Sequence, residues 1–495
     1  SPESRPLPEH RPHVQLRPEQ GGTNDPTGPI RWQGRTHLFH QYNPEGGEWD
    51  RPHWGHLVTD DLVRWRRRPI ALSPTPGGPD AEGCFSGCVV IDGDEAVMAY
   101  TGVVGPHGPG QPQVTCLARS CDALLDHWVK DPANPVTTGP DERRLLGFRD
   151  PFLWQDDDGR WWQAVGAGSR ENGGMVLLYS SRDLHRWEAH GHLLAKADLD
   201  ALDPTVWTGS MWECPVLLHG RDGDALLLSI HDVEVTHYPL AVIGRLEGER
   251  FVPTHLQRLD LGPDLYAPCL LQEEDGTAIS WGWSWEARAP EVQRDTGWAG
   301  VLSAPRRLEV VDGRLRVAPL AELTQLRARE LDVRPTPTPR GWTAAGIDTD
   351  VTDLELTLGP AVDRIDLELR RSPDGEEVTT LTVDRSRGEV WLDRDRASLE
   401  SSARGGRYGG PLDPATPIDH VRILLDRSIV EVFVDSRVAL TARIYPTRED
   451  STGVSVVGTP SSVADVELRA WSLNSIWAEE EHPGQVDPSV SLDEC

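Results

Sequence analysis

The chain has 495 residues, which is enough for two or three domains. It carries 79 acidic and 49 basic residues, a formal net charge of −30, so charge repulsion argues against nucleic acid or an anionic membrane surface as a partner. No stretch approaches the roughly 20 consecutive apolar residues that span a bilayer, so the composition is that of a globular protein and not of an integral membrane protein.

Short apolar strands broken by Gly, Pro and Asp dominate the first 310 residues, and one motif repeats among them. The segment 59–65 (TDDLVRW) recurs at 181–187 (SRDLHRW), and a weaker copy begins at Ser120, with its tryptophan two positions late at Trp128. The leading hydroxyl residues lie 61 residues apart each time. A unit of about 60 residues fits a four-stranded antiparallel sheet, and five such units end near residue 305. The pattern therefore predicts a five-bladed β-propeller.

The second part of the chain, after about residue 310, has a different pattern of apolar and polar residues. A short helix is indicated near 319–326, and Pro335, Pro337 and Pro339 suggest a stiff connection. Strands such as 354–358, 365–369 and 430–434 then alternate apolar and polar residues, as in a two-sheet sandwich with one wet and one dry face per strand. The predicted fold is all-β, a five-bladed propeller followed by a C-terminal β-sandwich. The predicted divisions are an N-terminal extension (1–20), the propeller (21–310), a linker with a short helix (311–340), the sandwich (341–474) and an acidic tail (475–495).

Four polar residues fall at equivalent positions of the repeat. Asp25, Ser86, Asp150 and Glu213 are separated by 61, 64 and 63 residues. Because a ring of similar units brings equivalent positions together around one axis, we expect the three acids to share a funnel. Such a cluster could hold calcium, which takes six to eight oxygen ligands, or could cleave a glycosidic bond.

The local sequence favours glycosidic cleavage. Glu213 lies between Trp212 and Cys214, surroundings poor in charge that should raise its pKa and suit a general acid. Asp25 lies in a polar turn that is consistent with an ionised nucleophile. Arg149 is expected to hold its neighbour Asp150 charged and oriented.

At these residues the chain resembles glycoside hydrolase family 32, which contains invertases, levanases and inulinases. The resemblance runs over nearly the whole chain. The motifs that carry it are Asn24-Asp25-Pro26, 37–44 (HLFHQYNP), Trp54-Gly55-His56, Phe85-Ser86-Gly87, Arg149-Asp150-Pro151, Glu213-Cys214-Pro215, Tyr266-Ala267-Pro268, Trp281-Gly282-Trp283 and 426–433 (DRSIVEVF).

The resemblance implies a retaining exo-acting β-fructofuranosidase that hydrolyses sucrose or β-linked fructans. Asp25 would be the nucleophile, Glu213 the acid and base, and Asp150 the stabiliser of the transition state. No metal or organic cofactor is implied. The residues that match the family's fructose pocket are Asn24, Gln41, Trp49, Phe85, Ser86, Arg149 and Trp283.

Three alternatives remain open at this stage. They are a fructosyltransferase with the same site, a non-catalytic fructan-binding protein, and a related five-bladed hydrolase that cleaves arabinofuranosides with inversion. The loop beside the nucleophile departs from the family pattern, because Gly22-Thr23 replaces Trp-Met and Thr27 replaces Asn. Val216 stands where the family often has Asp. Because this loop shapes the pocket beside the nucleophile, the detail of the pocket and the tendency to transfer stay open.

Further expectations concern the remaining residues. Asp264 and Tyr266 are candidates for the fifth blade's share of the funnel, and Cys84 and Cys88 either pair or stay free.

Seven cysteines without a dense framework favour a reducing compartment, so we expect a cytoplasmic protein; secretion stays open because the chain begins without Met. The sandwich is expected to be structural, with sugar binding or a homo-oligomer contact as the alternatives.

Overall fold

The computed structural model describes residues 10–140, 144–413 and 415–477. Residues 21–319 form five sheets that follow one another along the chain. Within each sheet, consecutive long strands pair antiparallel. The first sheet contains β1 (Gly21–Trp32), β2 (Arg35–Asn43), β3 (His53–Thr59) and β4 (Trp65–Leu72), and the second contains β5 (Gly83–Asp92), β6 (Glu95–Val103), β7 (Gln113–Ser120), β8 (Val129–Lys130) and β9 (Thr137–Thr138).

The other three sheets follow the same plan. The third contains β10 (Gly147–Gln155), β11 (Trp161–Ser169), β12 (Gly173–Ser181) and β13 (Glu188–Ala195), followed by helix α1 (Lys196–Leu202). The fourth contains β14 (Met211–His219), β15 (Asp224–Asp232), β16 (Val235–Glu247) and β17 (Arg250–Arg258). The fifth segment contains β18 (Tyr266–Gln272), β19 (Ala278–Ser284), helix α2 (Pro290–Thr296), β20 (Trp298–Ala299), β21 (Val301–Leu302), β22 (Arg306–Val311) and β23 (Arg314–Pro319).

The first strands of these sheets form a closed ring. Each of β1, β5, β10, β14 and β18 contacts the next, and β18 contacts β1. The short strand β20 pairs with β1, which ties the end of the ring to its beginning. The sheets are therefore the blades of a propeller, and their first strands surround its axis.

The repeated motif is the turn between the third and fourth strands of the first three blades. In the first copy the Thr59 hydroxyl accepts from the N–H of Leu62, and the Asp61 carboxylate accepts from Arg64 N–H at 2.7 Å. Leu62 has a φ of 69°, a conformation that these side-chain bonds stabilise. Trp65 then enters the buried core. The repeat thus encodes a tight turn followed by an aromatic anchor.

The C-terminal part is a sandwich of two sheets. The 3-10 helix Ala321–Leu326 precedes it, which agrees with the predicted short helix. The six-stranded sheet has the order β24-β36-β27-β32-β33-β34 and the seven-stranded sheet β25-β26-β35-β28-β29-β30-β31. The strands are β24 (Arg327–Glu330), β25 (Arg334–Thr338), β26 (Gly341–Ala345), β27 (Val351–Leu358), β28 (Arg364–Arg371), β29 (Thr379–Asp384), β30 (Glu389–Asp393), β31 (Arg407–Pro411), β32 (His420–Asp426), β33 (Ile429–Val434), β34 (Val438–Arg443), β35 (Gly453–Gly458) and β36 (Val466–Leu473), with helix α3 (Pro460–Ala464) before β36.

The segment 311–340 is more ordered than the predicted linker. Strand β23 completes the fifth blade as far as Pro319, and β24 and β25 already belong to the two sandwich sheets. The prolines of β25 are tolerated because this strand lies at the edge of its sheet. Residues 1–9 and 478–495, which include most of the predicted acidic tail, lie outside the described residues.

The prediction of one wet face per strand is wrong for β33. All six of its residues are buried. Val430, Val432 and Val434 pack inside the sandwich, whereas Phe433 on the other face packs with the propeller core. Glu431 accepts a hydrogen bond from Arg306 of β22 at 2.9 Å. The face expected to be wet is thus the interface between sandwich and propeller.

The described part of the N-terminal extension is held at this interface. The N–H groups of His13 and Val14 donate to Asp426 at 2.7 and 2.6 Å, and Gln15 donates to Glu431. Leu16 forms a bridge with Leu302 of β21. None of the helices in the described part of the chain is both long and apolar enough to cross a membrane.

Candidate active site

The first strand of every blade has a β-bulge at the same level. A bulge breaks the pairing register and re-aims the side chains beside it. In the five strands the breaks lie at 23–26, 85–87, 149–152, 213–216 and 266–269. The left-handed φ angles of Asp150 (66°), Cys214 (47°) and Ala267 (50°) occur in three of them. The polar residues predicted to occupy equivalent positions therefore lie at bulges, and these bulges surround the axis.

The bulges bring the carboxylates of Asp25 and Asp150 to one sulfur atom. The Cys214 thiol lies 3.4 Å from Asp25 Oδ2 and 3.5 Å from Asp150 Oδ2. The Cys214 N–H also donates to Asp150 Oδ2 at 2.9 Å. Sequence reasoning did not assign Cys214 a place in the site, although its position directly after Glu213 was the available signal.

Asp25 is partly buried, and polar side chains contact it, as its sequence suggests. Ser86 Oγ donates to its Oδ2 at 3.1 Å, and Asn24 Nδ2 lies 3.3 Å from its Oδ1. Burial, together with the nearby charge of Glu213, raises the pKa of Asp25 to about 6, because these hydrogen bonds only partly offset the loss of hydration.

Glu213 is held between a cation and a phenol. Arg149 Nε donates to its Oε2 at 2.8 Å and Tyr266 OH donates to its Oε1 at 2.6 Å. Burial is the largest single effect and raises the pKa of Glu213, but the charges of Arg149 and His231 and the hydrogen bonds from Tyr266 and Arg149 together outweigh it, so the pKa lies below its ordinary value. The expectation of a raised pKa is wrong for this state, because the residues next to Glu213 in sequence are not the ones that contact its carboxylate.

Arg149 pairs with Glu213 rather than with its neighbour Asp150. Gln113 of β7 also accepts from Arg149 Nη1 at 3.2 Å, which orients the guanidinium. Burial and the charge of Glu213 raise the pKa of Asp150 to about 7, although Arg149 acts in the opposite direction. Near pH 7 Asp150 is therefore about half protonated, and a cluster of this kind titrates as a group.

Two family-model matches agree with this arrangement. Residues 13–319 match the Glycosyl hydrolases family 32 N-terminal domain, and residues 322–472 match the Glycosyl hydrolases family 32 C terminal. The chain belongs to glycoside hydrolase family 32.

Relatives of this family 32 enzyme span almost its whole length. It is 32% identical over 456 residues to the sucrose-6-phosphate hydrolase of Escherichia coli, covering 89% of this chain and 90% of the relative. The structure of a GH32 beta-fructofuranosidase of Bombyx mori superposes with a TM-score of 0.78, at 28% identity and 95% coverage of both chains; a mutant of that protein has been solved in complex with sucrose. Fructan 1-exohydrolase IIa of Cichorium intybus superposes with a TM-score of 0.77 at 25% identity, covering 94% of this chain and 98% of the other. The protein is therefore a glycoside hydrolase with a propeller and a sandwich.

The family 32 enzyme has a cavity of about 340 Å³ that is lined by Asn24, the neighbour of Asp25 in the chain, although Asp25, Asp150 and Glu213 do not line it themselves. Three of the predicted pocket residues, Asn24, Trp49 and Trp283, line it. Phe85 contacts the Trp49 ring edge-on, with the ring centres 5.6 Å apart. Gln41 is buried and donates to the backbone carbonyl of Cys84 at 2.9 Å, so its amide nitrogen supports the strand that carries Phe85 and Ser86.

The two candidate residues from the fifth blade, Asp264 and Tyr266, lie in different parts of the molecule. Tyr266 reaches Glu213 and belongs to the site. Asp264 does not, because it accepts from Arg394 Nη1 and from the backbone N–H of Arg443, both in the sandwich. Among the described residues no group of three or more His, Cys, Asp and Glu side chains is arranged to hold a metal ion. The cation that lies among the acids is Arg149.

The departures from the family pattern are accommodated by hydrogen bonds. Thr27 Oγ1 donates to Gly87 O at 2.8 Å and accepts from Gly87 N–H at 3.0 Å, which joins the first two blades next to the nucleophile. Thr23 Oγ1 lies 2.8 Å from His40 Nδ1. Cys84 and Cys88 are both free and buried.

Proposed function

We propose that this family 32 hydrolase is a retaining β-fructofuranosidase that removes terminal β-D-fructofuranosyl units from sucrose and related short fructosides. The observation that carries the proposal is the convergence of Asp25, Asp150 and Glu213 at bulges of three inner strands, with Arg149 and Tyr266 bound to Glu213. The names of the relatives, which refer to sucrose-6-phosphate, β-fructofuranoside and fructan hydrolysis, support the same substrate class.

The first step forms a bond between Asp25 and the anomeric carbon of the fructosyl unit. The bond from that carbon to the leaving oxygen breaks, and the leaving oxygen takes a proton from Glu213. In the second step Glu213 removes a proton from water, whose oxygen attacks the same carbon and releases Asp25. Asp150 accepts hydrogen bonds from the sugar hydroxyls as positive charge grows on the ring.

The proton that Glu213 needs is available within the cluster. In the unliganded site Arg149 favours ionised Glu213, while Asp150 holds a proton with a pKa of about 7. We propose that sugar hydroxyls bind Arg149 and Asp150, which weakens the hold of Arg149 on Glu213 and shifts the shared proton to Glu213. The acid would then become competent only when a fructosyl unit is bound.

Lining charges of the cavity favour uncharged sugars over sugar phosphates. Among the described residues that line it, Arg404 is the only cation, whereas Glu48, Asp50 and Glu286 are acidic; Glu48 pairs with Arg294 and Glu286 with Arg443, neither of which lines the cavity. A phosphate carries about two negative charges at neutral pH and is usually bound by several cations or N–H groups. We therefore expect sucrose to be a better substrate than sucrose 6-phosphate.

The test is a substrate panel with purified protein. Sucrose, sucrose 6-phosphate, 1-kestose, inulin and levan are incubated with the enzyme, and released fructose and glucose are quantified by chromatography. Added methanol traps the fructosyl intermediate, and retention predicts methyl β-D-fructofuranoside as the product. Transfer to a second sucrose would appear as oligosaccharides with an excess of glucose.

Variants assign the roles. Asp25→Asn and Glu213→Gln should each lower kcat at least about 10³-fold, a loss typical for groups that act in the transition state, with the circular dichroism spectrum unchanged. Glu247→Gln, an exposed substitution at the far end of β16, is the matched control and should retain activity. No fructose release from any of the five substrates would refute the activity, and near-normal turnover by either variant would refute the residue assignment.

A further inference from the structure

A contact between a histidine and a glutamate joins two blades that are not neighbours. His107 Nε2 and Glu234 Oε2 lie 2.8 Å apart. His107 belongs to the loop between β6 and β7 of the second blade, and Glu234 to the turn between β15 and β16 of the fourth. Because the third blade lies between them in the ring, the contact passes over the inner end of that blade.

The contact lies at the mouth of the site. Both loops are at the end of the propeller where the bulges occur, since Gly83↔Val103 and Met211↔His231 are the strand pairs beside them. The hydrogen bond with His107 has the largest effect in lowering the pKa of Glu234, and the charge of Arg149 lowers it further, so the Glu234 carboxylate lies within electrostatic range of the guanidinium that holds Glu213.

A third loop meets the contact from the first blade. The Trp49 ring packs against the His107 ring, with centres 4.5 Å apart and planes at 51°. Trp49 also contacts Phe85 of β5. His107 is therefore held between an aromatic surface of the first blade and a carboxylate of the fourth.

The turn that presents Glu234 has an unfavourable backbone. Val233 and Glu234 have φ angles of 37° and 65°, and Asp232 pairs directly with Val235, so this is a two-residue hairpin turn with both central residues left-handed. Such turns favour Asn-Gly, and a left-handed non-glycine residue costs about 1–2 kcal/mol. Val233 is 39% exposed, so core packing does not explain its conformation. Strain of this kind is retained at sites where the geometry is used.

The cavity borders this contact, since Trp49, which packs on His107, and Val235, which follows Glu234, both line it. It is lined by residues of the first blade, of the fifth blade and of the sandwich, among them Trp49, Trp283 and Arg404, and by Val235 and Thr236 directly after the strained turn. Its volume of about 340 Å³ is near the lower end for small-molecule pockets. A sugar in this cavity therefore has the His107–Glu234 contact at its edge.

We propose that the His107–Glu234 contact is a bridge that narrows the mouth of the site and makes the enzyme selective for short fructosides over long fructan chains. The inference rests on the proposed β-fructofuranosidase activity. His107 and Glu234 act by limiting where the rest of the substrate can lie. Neither residue is assigned a part in bond cleavage.

The bridge is tested with His107→Ala and Glu234→Ala. The value of kcat/KM is measured for sucrose and for inulin, and each variant should raise the inulin-to-sucrose ratio by about tenfold or more, a change of roughly 1.4 kcal/mol. The double variant should show little more than either single variant, because one contact is lost in all three. The control is Glu249→Ala, which removes another His–Glu pair (His190 Nδ1 to Glu249 Oε1, 3.1 Å) at the opposite end of the fourth blade and should leave the ratio unchanged.

Hydrogen exchange provides a readout that does not depend on turnover. Residues 104–112 and 232–236 should exchange faster in both variants and at the wild-type rate in Glu249→Ala. An unchanged exchange rate, an unchanged inulin-to-sucrose ratio, or a wild-type enzyme as active on inulin as on sucrose would each overturn the bridge while leaving the proposed function intact. Loss of the proposed function is recognised separately, as the absence of fructose release from sucrose by the wild type.

Discussion

The hydroxyl of Tyr266 donates to Glu213 Oε1 at 2.6 Å, and Tyr266→Phe removes it with little change in side-chain shape. Tyr266 is 1% exposed, so water does not easily replace the lost donor. The hydrogen bond stabilises the ionised form of Glu213. Its removal should therefore raise the pKa of Glu213.

The magnitude follows from the type of hydrogen bond. A hydrogen bond to a charged group contributes about 1.5–3 kcal/mol net. Because one pKa unit corresponds to about 1.36 kcal/mol, the pKa of Glu213 should rise by about 1–2 units. In the enzyme–substrate complex, where Glu213 carries the proton, that proton is then held to higher pH, so the alkaline limb of the kcat profile should move upward by about the same amount.

The assay is the pH dependence of kcat for saturating sucrose between pH 4 and about 9, a range wide enough to contain both limbs. The matched control is Tyr100→Phe, which removes a buried tyrosine hydroxyl that donates to Asp80 at 2.7 Å in the second blade. Tyr100→Phe should lower the free energy of unfolding about as much as Tyr266→Phe does. It should leave both limbs of the pH profile in place. If Tyr266→Phe leaves the alkaline limb at its wild-type position, then the ionisation of Glu213 does not set that limb and the assignment of the general acid is refuted.

Two further predictions follow from the electrostatics. The acid limb of the wild-type kcat/KM profile should lie near the raised pKa of Asp25, about 6, because a protonated carboxyl is not a nucleophile. An acid limb below about pH 5 would contradict the raised pKa of Asp25. Arg306→Met removes a buried guanidinium that binds Asp260 at 2.8 Å and Glu431 at 2.9 Å, and should lower the free energy of unfolding by about 3–5 kcal/mol in urea titrations followed by tryptophan fluorescence. The neighbouring Arg307→Met is the control, since Arg307 is exposed, and a change within about 0.5 kcal/mol is expected there.

The electrostatics of the site show why local sequence was an incomplete guide. The expectation that Glu213 stands in a charge-poor environment considered Trp212 and Cys214, which flank it along the chain. In the folded protein its carboxylate contacts Arg149 and Tyr266, each more than 50 residues away. A carboxylate titrates according to the groups around it in space, so the expected direction of its pKa shift was wrong although its position in the site was predicted.

The same reasoning applies to the sandwich. Alternation in β33 indicated correctly that it is a strand, and Val430 and Val432 lie on the face that packs inside the sandwich. Alternation also suggested that Glu431 faces water, since a charged residue is usually exposed. Arg306 of the fifth blade covers it instead. A sequence pattern shows which face of a strand is polar. It does not show whether a charged residue on that face is exposed to water or buried in an ion pair.

The amino-acid sequence alone determined what depends on local spacing: the recurring turn, the alternation of strands, and the equal steps that place Asp25, Asp150 and Glu213 at corresponding points of successive sheets. These features are encoded by residues close together in the chain or by simple repetition. Only the tertiary structure decided which charges meet, including the pairing of Arg149 with Glu213 and the contact of His107 with Glu234. Those pairs depend on how the blades close around the axis and on where loops of unequal length end. Neither feature can be inferred from residues that are close together in the chain.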